Sequence, residues 1–157
     1  MKELNCLYSI SALAHEVDLP LDNFFIGPNK TVLTDGELLV EIHVPPLPPK
    51  SHGLYLKLTP RRSMDLAVVG VAVVVVPEGG LCKDIRIGLG AVAPTPIRAK
   101  RAEAVIRGQR FSEEVIEKTA VTAAEESRPI DDHRASVEYR RAMIKVLVRR
   151  AITQAIA

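Results

Sequence analysis

The sequence predicts an α+β fold: an antiparallel sheet of about three strands packed with a three-helix layer. Two observations carry this. Segments with strand character precede segments with helical character instead of alternating with them, which separates the chain from parallel α/β folds. A single short glycine-rich turn joins the two most apolar strands, which makes them an antiparallel pair. The 157 residues are enough for one domain with a substantial core, and the scarcity of aromatics (4%, with no Trp) makes that core aliphatic.

Residues 1–50 read differently from the rest. Asp22 to Pro28 carries Phe24 and Phe25 and is expected to be a loop closed by the Gly27-Pro28 turn. Glu37 to Val44 is a strand candidate rich in Leu, Val and Ile. It is stopped by Pro45, Pro46, Pro48 and Pro49, which cannot donate to a ladder and mark a boundary or linker. This first segment is too small and too poor in core residues to stand alone.

From Gly53 on, Leu54 to Leu58 is a short strand candidate. Leu66 to Val76 is a continuous, β-branched run that suggests a strand covered on both faces, with a buried helix as the alternative reading. Pro77 to Gly80 is a turn. Ile85, Ile87, Leu89 and Ala91 then alternate with Asp84, Arg86, Gly88 and Gly90, the period of a half-buried strand.

After Pro96 the period becomes helical. Ala102, Val105 and Ile106 form one face of a short helix, and Gly108 stands where a left-handed cap belongs. Ser112 can cap a second helix striped by Ile116, Ala120, Ala123 and Ala124, with Glu113 and Glu114 favourably placed in its first turn. Ile144, Leu147, Val148, Ala151, Ile152 and Ala155 stripe the last helix at helical spacing.

Composition excludes several functions. A formal charge of +2 gives no reason to expect nucleic acid or an anionic membrane as partner. The Arg pairs at 61–62, 140–141 and 149–150 read as solvated or interface faces, because no aromatics are interleaved with them. Cys6 and Cys82 are far apart and lack neighbouring ligands, so no metal site is expected from this chain. The longest apolar run is about half a membrane span and no secretion signal is visible, so the cytoplasm is the expected compartment.

Chemistry-bearing motifs are few. Gly88-Leu89-Gly90 lacks the third glycine of a dinucleotide fingerprint, and strand glycines that allow bending or close packing account for it better. His15, His43, His52 and His133 are scattered, and no serine or cysteine has a nucleophile's context. The acid pairs Glu113–Glu114 and Glu125–Glu126 read as solvated. Asp131, Asp132, Arg134 and Arg140 read as a structural knot, in which guanidinium groups and helix-start donors satisfy carboxylates, with an interface or ligand role as the alternative.

Five pieces in order carry a resemblance: Phe24-Phe25-x-Gly27-Pro28-x-Lys30-Thr31; Glu37-Leu38-Leu39-x-Glu41-Ile42-x-Val44-Pro45; Lys57-x-x-x-Arg61-Arg62-x-x-Asp65-x-Ala67-x-Val69; Gly88-x-Gly90-Ala91-Val92-Ala93-Pro94-x-Pro96; and Asp132-x-Arg134-Ala135-Ser136-x-x-Tyr139-Arg140-Arg141. Together they resemble the C-terminal part of the FAD-binding (medium) subunit of molybdenum hydroxylases, the family of carbon-monoxide dehydrogenase and xanthine dehydrogenase. The resemblance implies that residues 1–50 are a remnant of an FAD-binding domain plus linker, and that 51–157 are the subunit's C-terminal α+β domain.

It also implies two cofactor-binding residues, Leu39 beside the flavin and Lys57 as an FAD-contacting lysine. On their own, Leu39 reads as core and Lys57 as a solvent-facing strand residue. A positive charge at Lys57 suits a pyrophosphate or the developing negative charge of a reduced flavin. The family's glycine-rich FAD loops are expected upstream of Met1, so the chain alone is not expected to bind FAD tightly or to be active. Molybdopterin and [2Fe-2S] clusters would lie on a large and a small partner subunit, and a separate N-terminal FAD-binding half could complete the site. The alternative is a non-catalytic scaffold, docking through its Arg-rich last helix, that has lost flavin binding.

Overall fold

The proline cluster contains the division of the chain, with one unit at Met1–Leu47 and the other at Pro48–Ala157. The computed structural model describes residues 7–12, 15–61 and 65–157, with side chains described from residue 18 on, so Cys6 and Arg62 lie outside the described residues.

In the N-terminal unit, β1 (Leu7–Ala12), β2 (His15–Pro20) and β5 (Leu38–His43) form an antiparallel sheet in the order β2-β1-β5. Between β2 and β5, a 3-10 turn at Leu21–Asn23 leads into a small hairpin of β3 (Phe25–Gly27) and β4 (Lys30–Thr31). The segment expected to be only a loop thus pairs, because Asn29 takes a left-handed conformation (φ 56°) after Pro28 and closes the turn. Phe24 is the one buried hydrophobic side chain of this unit among the described residues, held by Leu19, Leu21, Val32 and Leu33.

The C-terminal unit is built on a sheet in the order β6-β7-β8-β9, antiparallel throughout: β6 (His52–Leu58), β7 (Val69–Glu78), β8 (Leu81–Gly90) and a two-residue β9 (Ile97–Arg98). The three long strands are those the sequence predicts. Gly79 (φ 59°) and Gly80 (φ 79°) make the β7–β8 turn, the left-handed pair that a two-residue hairpin requires. Pro77 sits at the register shift beside it, where its missing donor costs no ladder bond.

One face of the sheet is core. Val69, Val71, Val73 and Val75 of β7 and Ile85, Ile87 and Leu89 of β8 are buried beneath α1 (Lys100–Ile106), α2 (Glu113–Glu126) and α3 (Val137–Ile156). Each such aliphatic side chain contributes about 1.5–3 kcal/mol by leaving water. Every residue of the predicted α2 and α3 stripes is buried. The expectation that β7 is covered on both faces is wrong: Ala72 is exposed, and Val74 and Val76 are half-buried on the outer face.

Two acids expected to be solvated, or not singled out at all, hold this layer together. Ala99 cannot cap α1 with its side chain, and Glu126 of α2 does so instead, accepting from Ala102 N at 2.8 Å and Arg101 N at 3.1 Å. Glu103 is buried on α1, where it accepts from Ile87 N (2.8 Å) and forms a two-point pair with Arg98 (2.8 and 2.9 Å). Ser112 and Ser136 cap α2 and α3 by accepting from Val115 N and Tyr139 N. Gly108 takes the left-handed conformation expected of it (φ 79°). No helix among the described residues is long and apolar enough to cross a membrane.

Candidate functional site

Alternation along β6 sends Leu54, Leu56 and Leu58 towards the core and leaves Gly53, Tyr55 and Lys57 on the outer face. Lys57 pairs across the sheet with Gly70, and Gly70 with Gly90. The Tyr55 ring lies over Gly70 so closely that a Cβ there would stand 2.9 Å from the phenol oxygen. The space directly across the sheet from Lys57 is therefore filled, and its side chain turns to the β6–β7 connection instead.

There the Lys57 ammonium donates to the backbone carbonyl of Asp65 at 2.8 Å. The carboxylate of Asp65 accepts from Arg61 N (Oδ2, 2.9 Å) and Leu66 N (Oδ1, 2.9 Å). The base of the connection is closed where Val68 N donates to Leu58 O at 2.8 Å. Lys57 is thus oriented by a neutral acceptor, and its charge is left for an anion. An exposed, aimed ammonium fits the anionic groups of a flavin dinucleotide.

Arg140 anchors the same end of the sheet. It stands in an Arg pair expected to form a solvated or interface face, but it is buried, with only 3% of its surface exposed. Its Nη1 donates to Val68 O (2.8 Å) and Ala91 O (2.9 Å), and its Nη2 donates to Asp132 Oδ1 (2.8 Å). Val68 and Ala91 lie just outside the ends of β7 and β8, and the guanidinium satisfies both of their backbone carbonyls. Asp132 also accepts from Arg134 N (2.9 Å) and Ala135 N (3.1 Å), and Asp131 accepts from Val137 N at the start of α3 (2.7 Å). The Arg134 N–H is the main reason the Asp132 carboxyl is held down to about 2, with the Arg140 guanidinium and the Ala135 N–H adding to it. The knot read from the sequence is a structural one.

Leu39 lies in β5 of the N-terminal unit, opposite Ile10 on β1, and is 38% exposed. It is therefore not the core residue that its apolar side chain suggests on its own, but an accessible apolar contact. Lys57 belongs to the C-terminal unit. The residue that sequence reasoning missed is Asp65, which appears there only as a point of resemblance.

Other candidates do not gather into a site. Burial pushes the Cys82 thiol up to about 11, with Asp84 adding to the shift, so it is not a nucleophile near neutral pH. Gly88 and Gly90 lie inside β8, away from any strand-to-helix turn. No group of three or more His, Cys, Asp or Glu among the described residues could hold a metal ion. An open cleft of about 470 Å³ between Phe111–Ile116 and Arg149–Gln154 contains neither Leu39 nor Lys57.

Comparison with known proteins identifies the family of this fold. Residues 55–155 match the CO dehydrogenase flavoprotein C-terminal domain. The chain is 35% identical over 137 residues to the carbon monoxide dehydrogenase medium chain of Hydrogenophaga pseudoflava, covering 87% of this chain and 47% of that one. It is 30% identical over 140 residues to the xanthine dehydrogenase FAD-binding subunit of Escherichia coli O157:H7, covering 88% and 48%. The chain therefore spans about half the length of the curated relatives it matches.

Among solved structures, carbon monoxide dehydrogenase from Hydrogenophaga pseudoflava, in a form lacking the Mo-pyranopterin moiety of its cofactor, superposes with a TM-score of 0.92 at 35% identity. That match covers 97% of this chain and 53% of that one. Quinoline 2-oxidoreductase from Pseudomonas putida 86 gives 0.88 at 29% identity, covering 97% and 52%. With the sheet, the three helices and most of the matched length in agreement, the chain belongs to the CO dehydrogenase flavoprotein C-terminal domain family.

Proposed function

We propose that this chain forms the C-terminal part of the FAD-binding subunit of a molybdenum hydroxylase, with its N-terminal unit the end of the FAD-binding domain and residues 51–157 the domain that braces the flavin. The observation that carries the reading is the agreement over 97% of the chain with a carbon monoxide dehydrogenase structure, joined to a lysine that is exposed and aimed by a neutral carbonyl. FAD, when bound, supplies the acceptance of electrons and their release to an external acceptor. Lys57 would place positive charge against the pyrophosphate or against the negative charge of the reduced ring. Leu39 would offer an apolar side chain to the flavin while excluding water. In an assembly of this kind molybdopterin and [2Fe-2S] clusters reside on large and small partner subunits, and electrons reach the flavin from them.

A visible spectrum and FAD titration of the chain, alone and in the assembly isolated through a tag on it, tests the reading. Flavin in the assembly is the expected result, and Lys57→Ala lowers its flavin content or its reoxidation rate. Unchanged values in that variant would remove Lys57 from the site. A second reading, a scaffold without flavin, draws on the exposed apolar strand β5, and the absence of flavin from the assembly would favour it.

A further inference from the structure

We propose that Asp65 is the positioning residue for Lys57, an inference that rests on the flavin reading above. Five hydrogen bonds carry it. The two carboxylate oxygens of Asp65 hold the N–H groups of Arg61 and Leu66, which fixes the path of the chain at Asp65 itself. That path presents the Asp65 carbonyl to the Lys57 ammonium. The Val68–Leu58 bond and the buried Arg140 guanidinium on Val68 O tie the end of the connection to the sheet.

The division of labour within Asp65 has a chemical consequence. A carboxylate bonded directly to the ammonium would form an ion pair and compete with an incoming anion. Here the carboxylate is occupied by backbone donors, and a carbonyl without net charge aims the lysine. Holding one rotamer of a long, exposed side chain also removes part of the entropy cost of its meeting a ligand. Tyr55, lying over Gly70, closes the alternative path across the sheet. Asp65 therefore sets where the charge of Lys57 stands and contributes no contact of its own.

The test uses the FAD-loaded assembly isolated through this chain, with Lys57→Gln, Asp65→Ala, Asp65→Asn and the Lys57→Gln/Asp65→Ala double variant. FAD affinity and flavin reduction potential are measured in each. Lys57→Gln sets the scale, with a loss of about tenfold in the binding of FAD, or in the preference for the reduced over the oxidised form, as expected for one charge-assisted contact. Asp65→Ala moves the same quantity in the same direction by about threefold, and adds nothing in the Lys57→Gln background. Asp65→Asn, which keeps one acceptor, falls between wild type and Asp65→Ala.

A general loosening of the fold would instead lower FAD binding equally with and without Lys57, and such additivity overturns the proposal. So does an Asp65→Ala assembly whose affinity and potential match wild type while Lys57→Gln shifts them. If Lys57→Gln itself changes neither quantity, or the wild-type assembly carries no flavin, the flavin reading of Lys57 fails and the role of Asp65 fails with it. Should Asp65→Ala not assemble, the Asp65→Asn shift and its disappearance in a Lys57→Gln background decide the question.

Discussion

Strands β5 and β7 are similar in composition and opposite in fate. β5 is Leu-Leu-Val-Glu-Ile-His, with all six residues exposed, whereas β7 begins Val-Gly-Val-Ala-Val and buries its alternate valines completely. The difference lies in what each unit supplies. The Pro48–Ala157 unit brings three helices to one face of its sheet, and the described side chains of Met1–Leu47 bury one phenylalanine. An apolar strand records an intention to be covered. Whether it is covered depends on residues elsewhere, and for β5 none of the described residues of its own unit does so.

The largest effect that could break this comparison is a cavity beneath β8. Ile87 is fully buried, and its backbone N–H is held by Glu103. Ile87→Ala should destabilise the C-terminal unit by about 2–5 kcal/mol in urea denaturation. A cost below about 1 kcal/mol would mean that the sheet and helices collapse to fill the space, and that the layer is packed no better than β5.

Reading the sequence succeeds where burial is local and periodic. Ile144, Leu147, Val148, Ala151, Ile152 and Ala155 announce the buried side of α3, and Ser112 and Gly108 announce where helices begin and end. It fails where a partner is distant. Nothing in the spacing of Glu126 says that it will cap a helix 24 residues upstream, or that Arg140 will reach carbonyls at positions 68 and 91. The outer face of β7 is misjudged because a continuous valine run looks the same whether one face is covered or both. As proposed cofactor contacts, Lys57 and Leu39 are legible only through resemblance to a family. Asp65 is illegible because its contact to Lys57 is made by a backbone carbonyl, which no side-chain pattern encodes.

A smaller effect, confined to acid, sharpens the contrast from the C-terminal side. The folded pKa of Asp132, about 2, lies below its ordinary value of 3.8. The carboxylate therefore contributes stability that is fully present above about pH 4 and is lost as the pH falls through about 2. Asp132→Asn should unfold at lower urea than wild type at pH 7, and the gap between the two should narrow between pH 4 and pH 2. A gap that stays constant over that window would show that the knot around Arg140 does not depend on the charge of Asp132.

The smallest effect belongs to β5. Ile42 is 54% exposed, and the register shift opposite Ser9 and Ile10 puts it on the same side of the strand as Leu39, 38% exposed. Ile42→Ser in the chain by itself should change stability by no more than about 0.5 kcal/mol, the usual range for a surface substitution. The same substitution should weaken the flavin assembly proposed above, because an apolar strand face of this kind is stabilised only when something covers it. The two measurements separate what the strand does for its own unit from what it does for a partner. A cost of about 2 kcal/mol in the isolated chain would place Ile42 in a core, and would make β5 a strand of the same kind as β7. No cost in either setting would remove β5 from any interface and leave its apolar residues without a function in the assembly.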